Sequence, residues 1–231
     1  MSTITGTVST QGGIKAASQV RTFVRVAIWS LPLWAAMLFL GTLTHQPDPQ
    51  TEFAKFAAYV TTSQFLFSHL VYSIAGAAIG SIGMIALALH LQDSAVAGKA
   101  IAGTVAFVAG NTLTASVFGA AAFTQTAVGH AFLNGKQDAL DYYNLVYSAP
   151  LFGTAVLGLL LLLVGGVFTG MAITKSGRFP RWAGWVYGIA IVAFAVVSFI
   201  YNTAQTATIV FIFASTLVVA WNASRKDPGR D

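Results

Sequence analysis

The sequence contains no cysteine among its 231 residues. Disulfide bonds, thiolate nucleophiles, iron–sulfur clusters and thiolate zinc sites are therefore excluded. Charged residues are almost as scarce, since Asp, Glu, Lys and Arg make up 8% of the chain, against roughly 25% in a soluble domain. Apolar residues make up 56%. This composition is that of an integral membrane protein.

Long apolar stretches without Asp, Glu, Lys or Arg recur along the chain. A helix needs ~20 residues, with a rise of 1.5 Å each, to cross the ~30 Å hydrocarbon core of a bilayer. The stretches lack the apolar and polar alternation that is typical of barrel strands. The sequence therefore predicts an all-α, polytopic bundle of six transmembrane helices. The predicted spans are residues 26–43, 62–91, 100–126, 146–173, 182–201 and 206–222.

The twelve Lys and Arg residues are distributed unevenly between the spans. The first and third connections hold one each and the fifth holds none, whereas the other ten lie in the terminal segments and in the second and fourth connections. The positive-inside rule therefore predicts cytoplasmic termini in a plasma or inner membrane. We expect a flexible cytoplasmic segment over residues 1–25, a transmembrane domain over residues 26–222 and a basic cytoplasmic tail over residues 223–231.

The basic residues are not interleaved with aromatic residues, so the sequence predicts no nucleic-acid partner. Attraction to the anionic surface of the lipid bilayer is sufficient to explain the net charge of +5. None of the charged residues lies well inside a predicted span. Proton relays, ion paths and voltage sensors usually need such residues, as do intramembrane proteases and metal-dependent transferases. The sequence favours a non-catalytic protein.

Neutral polar residues gather near the predicted outer ends of the spans. If the second and third spans are reflected about the middle of their connection, near residue 95, Gln64 and Gln125 fall at nearly the same depth. His69 lies about a turn and a half deeper, where an imidazole needs a partner. We therefore predict an outward-facing polar pocket. Its predicted members are His69, Gln64, Gln125, Asn111, Asn202, Gln205 and Tyr147.

Each of these residues also has a structural interpretation. Gln64 and Gln125 could simply pair with each other. Asn111 could form a hydrogen bond between helices, which is a common role of amides in membrane bundles. Tyr147 could be an interfacial anchor, and His69 could have a structural partner.

Three classes of function stay open. The first is a bundle that binds or passes a small neutral molecule or lipid through this pocket. The second is an accessory or assembly subunit, because Gly76-x-x-x-Gly80 and Gly166-x-x-x-Gly170 allow close packing of helices. Such Gly and Ala faces could bind a membrane-protein partner or a second copy of the chain.

The third class is a haem or metal protein. His45, Asp48, His130 and Asp138 lie in the first and third connections and could hold Zn or Cu. A haem between His69 and His130 is disfavoured, because the two residues differ in predicted depth by ~13 Å. We predict no cofactor, although haem, Zn and Cu stay open as alternatives.

Residues 175–185, KSGRFPRWAGW, have the features of a cytoplasmic turn. Pro180 suits the first turn of a helix, and Trp182 and Trp185 suit the membrane interface. The segment resembles the basic Pro-Arg-Trp turn that precedes the fifth span in a bacterial family of six-span membrane proteins of unknown function. The resemblance covers this turn and the number of spans, and it implies no activity.

Overall fold

The computed structural model describes residues 10–197 and 202–225, with side chains over residues 18–197 and 205–225. All regular structure in these ranges is helical. The helices are α1 (Thr10–Ala27), α2 (Ser30–Gly41), α3 (Phe53–Val60), α4 (Ser63–Leu91), α5 (Ala97–Leu133), α6 (Ala139–Val146), α7 (Ala149–Lys175), α8 (Arg181–Val197) and α9 (Asn202–Ser224).

Five helical stretches of the described chain are long and apolar enough to cross a membrane. They are Ser18–Gly41, Ser63–Leu91, Ala97–Leu133, Ala149–Lys175 and Gln205–Ser224. Helix α8 is also apolar, and its 17 residues end where the described chain is interrupted at residues 198–201. The all-α class is thus confirmed, with five helical stretches that could span a membrane, whereas the count of six spans stays a prediction. Residues 1–9, 198–201 and 226–231 lie outside the described chain, including the end of the predicted fifth span and most of the predicted tail.

The first span consists of two helices because Pro32 interrupts its hydrogen-bond ladder. Proline has no N–H, and its ring crowds the carbonyl four residues earlier, which here belongs to Ile28. That carbonyl instead accepts a hydrogen bond from the Leu31 N–H at 3.1 Å. The chain therefore turns at residues 28–29, between α1 and α2. Helix α1 itself begins at Thr10, inside the segment that the sequence predicts to be flexible.

Glycines set the antiparallel contact between α2 and α4. A Cβ atom added to Gly80 would lie 2.7 Å from Trp34 Cγ, and one added to Gly83 would lie 2.8 Å from the Leu31 backbone nitrogen. These distances are shorter than any van der Waals contact, so α2 side chains occupy the space above each glycine. The small-residue pattern around Gly80 therefore serves packing within the bundle.

Close backbone contacts at glycines also join α7 to its two neighbours, α5 and α8. A Cβ atom on Gly110 of α5 would lie 2.7 Å from the Gly158 oxygen, and one on Gly170 would lie 2.8 Å from the Gly184 oxygen of α8. Helix backbones that approach this closely form tight interfaces in lipid. Because neighbouring helices cover Gly80 and Gly110, the close packing that these two glycines allow lies within the bundle.

The two ends of the bundle differ in chemistry. At one end, which we call the basic end, the Arg178 guanidinium donates a hydrogen bond to the His90 carbonyl oxygen, and the His90 ring contacts Phe179. This contact ties the end of α4 to the turn between α7 and α8. At the opposite, aromatic end, the short helices α3 and α6 pack against α5. Their buried core consists of Phe56, Val60, Phe65, Val128, Ala139 and Tyr143.

Candidate functional site

Aromatic rings hold the short helices of the aromatic end in place. Phe53 of α3 meets Phe132 of α5 edge to face at 5.0 Å between ring centroids, and Phe56 meets Tyr143 of α6 in the same way at 5.3 Å. Such pairs contribute ~0.5–1.5 kcal/mol each beyond the burial of their area. Tyr147 then stacks on Tyr143 at 4.4 Å. The rings therefore fix the position of Tyr147 beside α5.

Both long helices of this region contain π-helical segments. Residues Ser68–Ala75 of α4 and Ala121–Gln125 of α5 have this wider winding, and the two segments contact each other. Isolated π turns inside α-helices occur frequently at functional sites. His69 and Gln125, two of the predicted pocket residues, lie in these segments. We define the candidate site as His69, Gln125 and Tyr147.

Gln125 is the most constrained member of the candidate site. Its side chain is 4% exposed, and its Nε2 donates a hydrogen bond of 2.5 Å to the Tyr147 hydroxyl. Its Oε1 is buried and has no hydrogen-bond partner among the described residues. Rotation of the amide by half a turn would exchange the two atoms, so in either orientation one polar atom of Gln125 stays unpaired.

Within the described chain, His69 uses one of its two ring nitrogens in a hydrogen bond. Its Nδ1 lies 3.0 Å from the Phe65 carbonyl oxygen, and its ring packs 4.2 Å from the Phe65 ring and 6.0 Å from Phe118. A carbonyl accepts only, so Nδ1 is the donor, and Nε2 is an acceptor in the neutral ring. Phe118 precedes Gln125 by about two turns, or ~10 Å along α5. The two acceptor atoms, Gln125 Oε1 and His69 Nε2, therefore lie at different depths of the bundle.

Two tyrosine hydroxyls of the aromatic end, those of Tyr143 and Tyr147, stay protonated well above neutral pH. Burial raises the pKa of Tyr143, and the nearby carboxylate of Asp48 raises it further. Burial also raises the pKa of Tyr147, although the hydrogen bond from Gln125 opposes the shift. Both hydroxyls are thus neutral hydrogen-bonding groups, and Gln125 carries no charge either. Such surroundings suit an uncharged ligand, because the side chains that contact Gln125 and Tyr147 carry no charge.

Asn111 forms a hydrogen bond between two helices, as its structural interpretation predicts. It is buried, and its Nδ2 donates a hydrogen bond of 3.2 Å to the Ala77 carbonyl oxygen. This bond joins α5 to α4. The Gln64 side chain, by contrast, is exposed and forms no hydrogen bond with Gln125. The structure therefore brings neither residue into the candidate site.

The predicted pocket residues near the fifth connection lie on a different helix pair. Gln205 is half-buried on α9, which packs mainly against α8 and α2. The neighbouring Thr206 hydroxyl donates a hydrogen bond of 3.1 Å to the Thr42 hydroxyl. Helix α9 begins at Asn202, but the Asn202 side chain lies outside the described side chains.

The alternative metal ligands are all at the surface. All four proposed ligands have exposed side chains: His45, Asp48, His130 and Asp138. Asp48 uses its Oδ1 locally, as acceptor from the Gln50 N–H at 2.9 Å. Within residues 18–197 and 205–225, no three His, Asp or Glu side chains are grouped closely enough to hold a metal ion.

Sequence reasoning missed helices α3 and α6, on which the candidate site depends. A signal was present, because Phe53, Phe56, Ala57 and Val60 follow the spacing of an amphipathic helix. The predicted spans leave this segment in the first connection, and its eight helical residues are too few to span a membrane.

No protein family, curated protein or solved structure matches this chain in comparisons of its sequence and its fold. The resemblance of residues 175–185 to a family of unknown function therefore stays a prediction.

Proposed function

We propose that this protein is a non-catalytic membrane protein that binds or passes a small neutral molecule, or a neutral lipid, through the candidate site at the aromatic end. The observation that carries the proposal is the unpaired, buried amide atom of Gln125. A buried polar atom without a partner costs ~1–3 kcal/mol. With Nε2 on the Tyr147 hydroxyl, a ligand that donates a hydrogen bond to Oε1 would remove this cost, so we expect a hydroxyl or N–H group on the ligand.

The remainder of the candidate site supports an uncharged, partly apolar ligand. His69 adds a second acceptor, and the surrounding side chains are aromatic, including Phe65, Phe118 and Tyr143. Pockets for small molecules usually combine such apolar walls with a few polar groups that fix orientation.

We further propose six spans with both termini in the cytoplasm of a bacterial-type inner membrane or a plasma membrane. Helix α8 packs along α7 and α9, both of which are long enough to cross the membrane. The basic end holds Lys175, Arg178 and Arg181, whereas Lys55 and Lys136 are the two cations near the aromatic end. The positive-inside rule then places the aromatic end, and the candidate site, outside.

The test of the ligand proposal uses 1-decanol and methyl decyl ether, which share an alkyl chain but differ in the O–H donor. Thermal unfolding of the purified chain in one detergent is measured with each compound. A ligand at 100 times its Kd stabilises the folded state by ~2.7 kcal/mol.

We expect the alcohol to stabilise the wild type more than the ether does, and the difference to disappear in Gln125→Met. Thr112→Val, on the exposed face of α5, is the matched control and should retain it. Equal effects of alcohol and ether on the wild type would contradict the proposal.

A further inference from the structure

An apolar groove of about 560 Å³ lies between α7 and α8, away from the candidate site. Its floor contains Gly170, Gly184 and Gly188. A Cβ atom on Gly170 would lie 2.8 Å from the Gly184 oxygen, and one on Gly184 would lie 2.5 Å from the Gly170 oxygen, so no side chain fits between the backbones at these two positions. The walls are larger apolar side chains that rise on both sides of this floor. They include Val167, Met171, Trp185, Ile189, Val192 and Val196.

The groove is at least as long as the hydrocarbon region of one lipid leaflet. Its lining residues on α8 extend from Gly184 to Val197, which corresponds to ~20 Å at 1.5 Å per residue. One leaflet contributes about half of the ~30 Å hydrocarbon core. The groove can therefore accept an extended acyl chain along most of its length.

Within the described chain, cationic side chains lie at the end of the groove where α8 begins. Lys175 lines it, and Arg181 begins α8 one turn before Trp185. Both side chains are exposed, and neither takes part in an ion pair within the described chain. Arg178, between them, already donates to the His90 carbonyl oxygen. The N-terminus of α8 adds the positive end of a helix dipole at the same place.

We propose that this groove binds one anionic phospholipid. An acyl chain lies over the glycine floor between α7 and α8, and the phosphate group lies against Lys175 and Arg181. Basic pockets between membrane helices recognise anionic headgroups in this way. The proposal is independent of the ligand proposed for the aromatic end, because the two sites share no residue.

Native mass spectrometry of the full-length chain tests the proposal, with phosphatidylglycerol and phosphatidylcholine of identical acyl chains as probes. We expect preferential binding of phosphatidylglycerol, and a loss of this preference in Lys175→Gln/Arg181→Gln by about fivefold for each charge removed. The matched control, Arg21→Gln/Lys99→Gln, removes the same charge from the same end but away from the groove, and should keep the preference. Equal losses in both double variants, or no preference in the wild type, would overturn the proposal.

A second pair of variants tests the position of the acyl chain. Ala193→Phe fills the groove from its wall, and Val196→Phe does the same at a position that is 53% exposed and so has little packing to lose. We expect at least one of them to remain folded by circular dichroism, and every folded one to lose bound phosphatidylglycerol. Unchanged binding in a folded variant would overturn the proposal. So would a wild-type dimer that these substitutions convert to monomers, because a second copy would then cover the groove.

Discussion

The Gln125 side-chain nitrogen lies 2.5 Å from the Tyr147 hydroxyl oxygen, and this contact joins the end of a membrane-spanning helix to the segment that follows α6. Tyr147 satisfies one half of a buried amide and leaves the other half unpaired. The interaction therefore combines a stabilising hydrogen bond with a destabilising unpaired atom. The two effects can be separated by mutation.

Tyr147→Phe should destabilise the bundle by ~1–2 kcal/mol, because it leaves both polar atoms of the Gln125 amide buried without partners. Gln125→Met removes the amide together with its unpaired atom, so we expect a smaller loss or a gain. The double variant should then be more stable than Tyr147→Phe alone. Reversible unfolding in mixed micelles gives the three free energies, and additive effects would show that the two side chains do not interact.

Gly110→Ala should destabilise the contact between α5 and α7 by ~1–3 kcal/mol, the usual cost of overpacking. The added methyl group would lie 2.7 Å from the Gly158 oxygen and 2.8 Å from the Leu162 nitrogen, and neither backbone atom can rotate away. Gly119→Ala on the same helix is the control, since its methyl group would meet no atom within 4 Å. The control should keep or raise the thermal unfolding midpoint, because alanine favours helix over glycine. A similar midpoint for both variants would contradict the packing described for α5 and α7.

Asp48→Asn should lower the pKa of Tyr143 but leave it above the ordinary value of 10.0, since burial is the larger cause of the shift and Asp48 the smaller. The protonated hydroxyl contributes stability that is complete below the pKa of the unfolded chain and is lost as pH rises through the higher folded pKa. Absorbance at the tyrosinate band, taken as the difference between each protein and its Tyr143→Phe derivative, isolates this one titration. An unchanged Tyr143 pKa in Asp48→Asn would exclude the proposed electrostatic contact.

The register of α4 against α5 could be predicted from the sequence because a short connection forces two continuous helices to run antiparallel. The same reflection about residue 95 that relates Gln64 to Gln125 predicts that Asn111 lies opposite Ile79 and Gly80, and the observed partner is Ala77. The hydrogen bond from the Thr104 hydroxyl to the Met84 carbonyl oxygen joins residues that are also symmetric about residue 94. Depth along a helix thus follows from counting residues.

The rotation of each helix, and hence the partner of each side chain, could not be predicted in this way. Counting places Gln64 and Gln125 at one depth, but Gln64 is exposed whereas Gln125 points toward Tyr147. The π-helical segments change the rotation of α4 and α5 where these residues lie, and no residue type in Ser68–Ala75 or Ala121–Gln125 signals this winding. The position of Tyr147 depends in addition on ring contacts made by helices that are not membrane spans.

The absence of cysteine makes the proposed topology directly testable, because each introduced cysteine is the only thiol in the chain. Thr51→Cys and Gln137→Cys lie at the aromatic end, and Gln92→Cys lies at the basic end; all three replace exposed side chains. Ser224→Cys lies at the end of α9. In intact cells, a membrane-impermeant maleimide should label the first two variants and should reach Gln92→Cys and Ser224→Cys only after permeabilisation. If Ser224→Cys is labelled in intact cells and Gln92→Cys is not, α8 does not cross the membrane, since α9 would then end outside. Labelling of Gln92→Cys in intact cells, with no labelling of Thr51→Cys, would instead reverse the orientation and place the candidate site in the cytoplasm.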